Sequence, residues 1–326
     1  MSFNMKKERI DPVKALADSL IEQMKNNSAP WQKPWEASMA LTPHNAMTGK
    51  PYRGFNNLAL MLQRHDDPRW LTFKQAKDLG YSVKKGEKGI PLLFYSFDTQ
   101  RAKRDDAGKV IKDKNGNTAK ETVRLERPIV RTFYVFNAKQ IDGIPPYERP
   151  VFNEIEVNER AEALLTASKA TIIHEEGDKA FYNPMRDHIV LPLKDQFKST
   201  EHYYATALHE LGHWSGHESR LNRDIINRFG SIDYAREELR AEISSMLVGQ
   251  EIGIRHDPSQ HAAYTKSWIS ILEDEPKEIL YAVRDAQKIF DYVMQYDREY
   301  TQQQDIQQPE PSQAKEEPEL EEELER

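Results

Sequence analysis

The sequence predicts an α+β fold in two domains. A small α+β domain spans residues 1–150, a mostly helical domain with a small sheet spans 151–300, and an acidic tail covers 301–326. Three observations predict this. The chain has 326 residues, more than one core comfortably serves. Its charge changes sign along its length: Lys and Arg outnumber Asp and Glu 27 to 17 in residues 1–150, the ratio reverses to 17 against 27 in 151–300, and 301–326 carry 2 against 9. The spacing of apolar residues also shifts, from mixed helix and strand in the first half to mostly helical in the second.

In the first half, Val13, Leu16, Leu20, Ile21 and Met24 recur at helical spacing across 11–27, with Asp11 as N-cap and Pro12 at the first helical position. An aromatic and proline-rich loop follows. Residues 57–64 read as a second helix and 73–79 as a short third. Residues 90–97 and 130–136 are rich in β-branched and aromatic side chains and pair as strands. The polar stretch between them has turn signals at Ala107-Gly108 and Asn115-Gly116 and is expected to form a long, mobile hairpin. No internal repeat is visible. The Pro-rich segment 141–154, where the charge changes sign, marks the domain boundary.

Beyond it come a helix over 157–167, a short strand pair and the strand DHIVLP (187–192). Helices then follow over 200–216, 233–253, 259–272 and 276–300. From Gln302 the Gln/Glu/Pro-rich tail is expected to be disordered. The chain has no cysteine, so disulfides and thiolate metal sites are excluded, and any transition metal must be held by His and carboxylate. No apolar run approaches the ~18 residues that span a bilayer, and the basic N-terminus has no apolar signal core. A cytoplasmic location with no membrane partner is expected.

The stretch TALHELGHWSGH (206–217) contains H-E-x-x-H. On a helix, residues four apart share a face, so His209 and His213 can point at one metal ion. Glu210 beside them can act as general base toward a metal-bound water and then protonate the leaving amine. Ala207, Leu208 and Leu211 bury the opposite side. A His six residues after His213 would make the motif a metzincin's, but that position is Ser219. The third ligand is instead sought in YAREELRAEISSMLVG (234–249), where Glu238 and Glu242 lie one turn apart in a gluzincin-like pattern. Glu238 is the favoured ligand, with Glu242 accepting the second ring N–H of a ligand histidine. The reverse assignment is the alternative, as is a charged face pairing with Arg236 and Arg240. One divalent ion is expected, Zn²⁺ first, with Mn²⁺ or another transition metal as alternatives.

Lesser candidates are His217 as a substrate-side or plain loop histidine, DHIVLP as an edge strand that aligns a peptide or a plain core strand, and Tyr182 as an oxyanion donor or a packed ring. The first half interleaves rings and cations: Trp31, Lys33, Trp35, Lys50, Tyr52, Arg53, Trp70, Lys74, Lys84, Lys85 and Lys88. That mixture suits single-stranded DNA, with bases on the rings and phosphates on the cations. The plain alternative is buried rings under a solvated charged surface.

Five runs, APWQKPW, TGKPYRGFN, WLTFKQAKDLGYSVKKGEKG, AFYNPMRDHIVLP and HELGHWSGHESRLNRD, together resemble the ArdC-type antirestriction proteins. Their N-terminal domain type is shared with TraC-type plasmid primases, and the resemblance covers residues 11–255. It implies a single-stranded-DNA-binding domain fused to a zincin-like metallopeptidase domain, carried on a conjugative or related mobile element and protecting incoming DNA from host restriction. It also implies His209, Glu210 and His213 as the metal motif and Glu238 as the downstream acid. The expected partners are single-stranded DNA and a host restriction component or other protein substrate. The rival function is a non-catalytic protein that coats DNA and keeps a structural or vestigial metal site. A metal-dependent nuclease fits less well, because such sites cluster carboxylates around Mg²⁺.

Overall fold

The computed structural model describes residues 11–29, 42–148, 154–254 and 264–307. In chain order the elements of the first half are α1 (Pro12–Lys25), β1 (His44–Asn45), α2 (Gly54–Met61), β2 (Arg69–Thr72), α3 (Phe73–Asp78), β3 (Ser82–Val83), β4 (Ile90–Ala102), β5 (Lys120–Asn137) and β6 (Ile141–Asp142). The second half adds α4 (Glu154–Ser168), β7 (Thr171–Glu175), β8 (Phe181–Asn183), β9 (His188–Pro192), α5 (Thr200–Trp214), α6 (Ile232–Ile252), α7 (Thr265–Asp274) and α8 (Glu278–Gln307). The predicted α+β class and two-domain organisation hold. Among the described residues no helix is long and apolar enough to cross a membrane.

Asp11 caps α1 as expected: its side chain accepts from Val13 N–H at 2.9 Å, and Leu16, Ala17, Leu20, Ile21 and Met24 form the buried stripe. The second helix begins three residues earlier than its apolar pattern predicts, at Gly54, whose amide donates to Gln287 Oε1 at 2.8 Å. A partner 233 residues away fixes this start, and no local pattern carries that information. The first sheet has the order β1-β2-β5-β4 with β4 at its edge. The β4–β5 pairing runs well past the predicted strands, out to Ala102↔Lys120. A wide bulge interrupts it where Phe97 stands opposite residues 125–128, and Pro128, which has no N–H to give a ladder, sits in that bulge.

The polar excursion 98–127 is thus built from regular structure. Its tip divides into two small hairpins with bridges Arg104↔Val110 and Lys112↔Thr118. Asp105 Oδ1 accepts from Ala107 and Lys109 N–H, and Asp113 Oδ1 accepts from Asn115 and Asn117 N–H in the same pattern eight residues on. Gly108 and Gly116 supply the positive φ that each turn requires. Lys103, Ile111 and Ala119 close a ring of three backbone hydrogen bonds at the junction. This short repeat is visible in the sequence only once both turns are aligned on their aspartates.

The second sheet has the order β7-β9-β8, with β7 parallel and β8 antiparallel to β9. DHIVLP is therefore the central strand, the plain core alternative, and the peptide-aligning edge role is corrected. Ile189 and Leu191 pack in the cluster with α4 and α5 and Val190 between them is buried too, which is why residues 189–191 are apolar on both faces. The long last helix continues to Gln307, so residues 302–307, expected to be disordered, are helical; glutamine tolerates a helix well once one is under way.

The two halves meet in one apolar core. Leu16, Leu20 and Met24 of α1 and Leu58 of α2 share a buried cluster with Leu239 and Ile243 of α6, Trp268 of α7 and Ile279 of α8. A second cluster joins α4, β9, α5 and the later turns of α8. Helix α8 therefore serves both cores, with Ile279 to Ala286 in the first and Ile289 to Met294 in the second.

Candidate metal centre

Helix α5 starts at Ser199, whose hydroxyl accepts from His202 N–H, and α6 starts at Ser231, whose hydroxyl accepts from Tyr234 N–H. The two helices cross closely at Gly212, where an added Cβ would lie 3.0 Å from Ser244 Oγ and 3.6 Å from Ala241 Cα. The glycine inside H-E-x-x-H thus lets α6 approach the histidines, and its carboxylates arrive from a second helix.

His209, His213 and Glu238 converge, with one ligand-type atom from each lying within 4.8 Å of the others. The two Nε2 atoms face each other at 3.1 Å, and the Glu238 carboxylate lies 3.5 Å from His209 Nε2 and 3.6 Å from His213 Nε2. Behind each ring stands another carboxylate. Glu242 faces His209 Nδ1 at 3.5 Å, and Glu237 faces His213 Nδ1 at 3.2 Å. A carboxylate at Nδ1 holds the proton there and leaves the Nε2 lone pair pointing inward, as a metal-binding imidazole requires. Two inward imidazoles and one carboxylate suit a divalent ion that prefers N and O donors, so the residues present fit such a group.

Both glutamates of the predicted helix are therefore at the site in distinct positions, and neither pairs with the neighbouring arginines as the charged-face alternative had it. Arg236 and Arg240 turn instead to Asp233, Glu275, Glu278 and Asp285. Glu237 is the residue that sequence reasoning missed. It is fixed by Arg223, whose Nη2 donates to it at 2.7 Å and to Gly212 O at 2.9 Å, while Nη1 donates to Ser215 Oγ at 2.8 Å. Arg223 thereby ties the loop after α5 to both metal helices. We expect Glu237→Gln to weaken metal binding about 10- to 100-fold, measured by competition with a chromophoric chelator. Unchanged affinity would remove Glu237 from any role in tuning His213.

The electrostatics favour a cation. Burial works against charge on His209, but Glu238 and Glu242 outweigh it and raise its pKa to about 9. Burial opposes ionisation of Glu238 as well, yet the two histidines hold its carboxyl far below the usual range. Burial raises Glu210, the effect a group needs to shuttle protons near neutral pH.

The site opens into a cleft of about 180 Å³. One wall is β8, whose Phe181 and Tyr182 line the cleft together with Glu210. The strand beside the proton-transfer residue is therefore β8, whose edge away from β9 has no strand partner among the described residues. The Tyr182 hydroxyl is committed elsewhere. It donates to Asp187 Oδ1 at 2.7 Å and accepts from Arg220 Nη2 at 3.2 Å, so it is a packed ring and not a cleft donor. The hydroxyls that do line the cleft belong to Tyr234 and Tyr264, 3.5 Å apart. Tyr234 precedes Glu238 by one helical turn and was findable on that spacing; nothing local marks Tyr264. His217 bonds Ser219 Oγ in the loop after α5 and does not line the cleft.

The residues expected to meet DNA are more scattered. Lys50, Lys74, Lys84, Lys85 and Lys88 are exposed. Trp70 is 1% exposed in the core and cannot stack on a base, a correction to its expected role. Tyr52 packs against the same core, and Arg53 forms an ion pair with Asp291 of α8, so both are structural in the first instance. Trp31, Lys33 and Trp35 lie outside the described residues.

Comparison with known proteins agrees with this architecture. Residues 11–136 match the N-terminal domain of the anti-restriction factor ArdC, and residues 159–285 match a zincin-like metallopeptidase domain. The metal-free crystal structure of ArdC from plasmid R388 superposes with a TM-score of 0.68 at 30% identity, covering 89% of this chain and 99% of that one. Its Mn(II)-bound form gives 0.68 at 31%, covering 88% and 98%. A DNA primase TraC of Escherichia coli is 54% identical over 92% of this chain, which spans only 28% of that longer protein. An uncharacterised Sinorhizobium fredii protein, y4eC, is 33% identical over 87% of this chain and 91% of its own length. The chain belongs to the ArdC family of antirestriction proteins, with a zincin-like domain as its second half.

Proposed function

We propose that this chain protects incoming DNA of a mobile element in the cytoplasm, binding it as single strands through the first half and cutting a protein through the second. The observation that carries the peptidase reading is the convergence of His209, His213 and Glu238 beside buried Glu210. These side chains would hold one divalent ion, Zn²⁺ by their N and O chemistry. Mn²⁺ is the alternative, supported by the R388 relative. Such an ion supplies Lewis acidity toward a peptide carbonyl and acidifies a water.

The protein's own residues do the rest. An extended peptide adds to the unpaired edge of β8, which sets its carbonyl over the cleft. Glu210 takes the proton from water and returns it to the leaving amine. Tyr234 and Tyr264 line the same cleft, which supports them as donors to the oxyanion that develops. The substrate class we favour is a component of the host restriction machinery. The excess of cations in residues 1–150 and the exposed lysines support the DNA reading.

The test is metal content by mass spectrometry on matched preparations of wild type, His209→Ala and Glu238→Ala. About one ion per chain in wild type, lost in both variants, is expected. A wild type that takes up no metal while still binding single-stranded DNA would leave only the coating function.

A further inference from the structure

Among the described residues, a group of exposed aromatic side chains lies outside the set that the sequence points to. On the β4–β5 ribbon, Phe94 is 54% exposed, Tyr95 40%, Phe97 49% and Tyr134 49%, with Ile129 and Val130 between them. Exposed rings in such number mark a contact surface. The register sorts them. Tyr95 opposite Val130 and Pro91 opposite Tyr134 share one face, while Phe94 opposite Arg131 lies on the other. Tyr95 and Phe97 are one strand repeat apart, about 7 Å, which leaves room for a base on each ring.

Cations interleave with the rings. Residues 90–137 contain ten Lys and Arg against six Asp and Glu. Three of those acids are already engaged: Asp105 and Asp113 accept from their own turn amides, and Glu121 pairs with Arg101 at 2.6 Å. Arg124 lies 5.9 Å over the Phe97 ring, Arg131 stands across from Phe94, and Arg127 sits in the bulge. No ion pair among the described residues involves Arg124, Arg127 or Arg131.

An exposed edge strand also invites a second copy of the chain. The cation excess of the ribbon, with Arg124, Arg127 and Arg131 outside any ion pair among the described residues, instead favours a polyanion with stackable faces as the occupant. We propose that the β4–β5 ribbon is the single-stranded-DNA platform, the DNA passing round its free β4 edge so that Tyr95, Phe97 and Tyr134 on one face and Phe94 on the other stack on unpaired bases, with Arg124, Arg127 and Arg131 holding phosphates. This rests on the reading that the first half binds single-stranded DNA. It moves the stacking role away from Trp70 and Tyr52, which the core occupies.

The test is anisotropy of a labelled oligothymidylate titrated with the full chain over a series of salt concentrations. The triple variant Phe94→Ala/Tyr95→Ala/Tyr134→Ala should bind about fivefold more weakly per ring lost, and melt within a few degrees of wild type because the rings are exposed. Arg124→Gln/Arg131→Gln should reduce the salt slope by about one to two. Photocross-linking of wild type to an iododeoxyuridine oligonucleotide tests the same surface without any variant, and cross-links on the four rings are expected. Wild-type affinity in the triple variant, or cross-links elsewhere, would overturn the ribbon and leave the DNA reading standing. A wild type that does not bind even at low salt would overturn both. Dimeric wild type beside a monomeric triple variant would make the ribbon a self-interface and overturn the proposal.

Discussion

Glu210→Gln should keep its metal and its affinity for single-stranded DNA and lose about 10²- to 10⁴-fold in peptide hydrolysis. The amide fills the same space in the cleft wall, so the helix and the His209–His213–Glu238 cluster remain, but it cannot take a proton from water. Cleavage is read on a peptide library by mass spectrometry, and protection is read by transfer of unmodified DNA into a restricting host. If proteolysis carries protection, both signals fall together. If hydrolysis disappears while protection stays at the wild-type level, the DNA-coating half acts alone and the peptidase serves another purpose. Three controls (metal content, melting temperature and oligonucleotide affinity) separate a chemical defect from a folding one.

Trp268→Ala should be the most destabilising single truncation, costing about 3–5 kcal/mol. The ring is fully buried in the core shared by both halves, and its Nε1–H donates to Ala235 O at 2.8 Å, so the change opens a cavity and removes that hydrogen bond. At about 2–4 °C per kcal/mol for a domain of 150–250 residues, the melting temperature should fall by roughly 6–20 °C. Because α1 and α2 pack on the same cluster, both halves should melt in that one earlier transition. A scan in which only residues 154–307 lose protection in hydrogen exchange, with α1 and α2 unaffected, would contradict a common core.

The centre was more legible in the sequence than the surface. H-E-x-x-H needs only the helical repeat to place His209 and His213 together, and the same repeat put Glu238 and Glu242 one turn apart on a partner helix. Glu237 escaped because its role depends on the loop arginine, Arg223, folding back over Gly212, a tertiary arrangement with no period to read. The strand roles in the second half failed for a related reason. Composition shows that DHIVLP is buried, but only pairing shows that β9 is flanked on both sides and that the cleft belongs to β8. In the first half, aromatic residues looked alike in sequence whether they were core or surface. Trp70 is interior while Phe94 and Tyr134 face outward, and the difference is set by how far the β4–β5 ribbon extends beyond the body.

Helix α8, which runs through both cores, also constrains how the chain can be divided or inherited. A break near residue 150 would leave the first half without the helices that cover α1 and α2, and the second half with Trp268, Ile271 and Ile279 facing water. Such fragments would be sticky and poorly soluble when expressed separately. Recombination that moved one half without the other would produce the same defect. The match to the much longer TraC primases spans 92% of this chain, with both halves kept together. The pair behaves as one cassette, transferable whole into larger proteins and costly to cut.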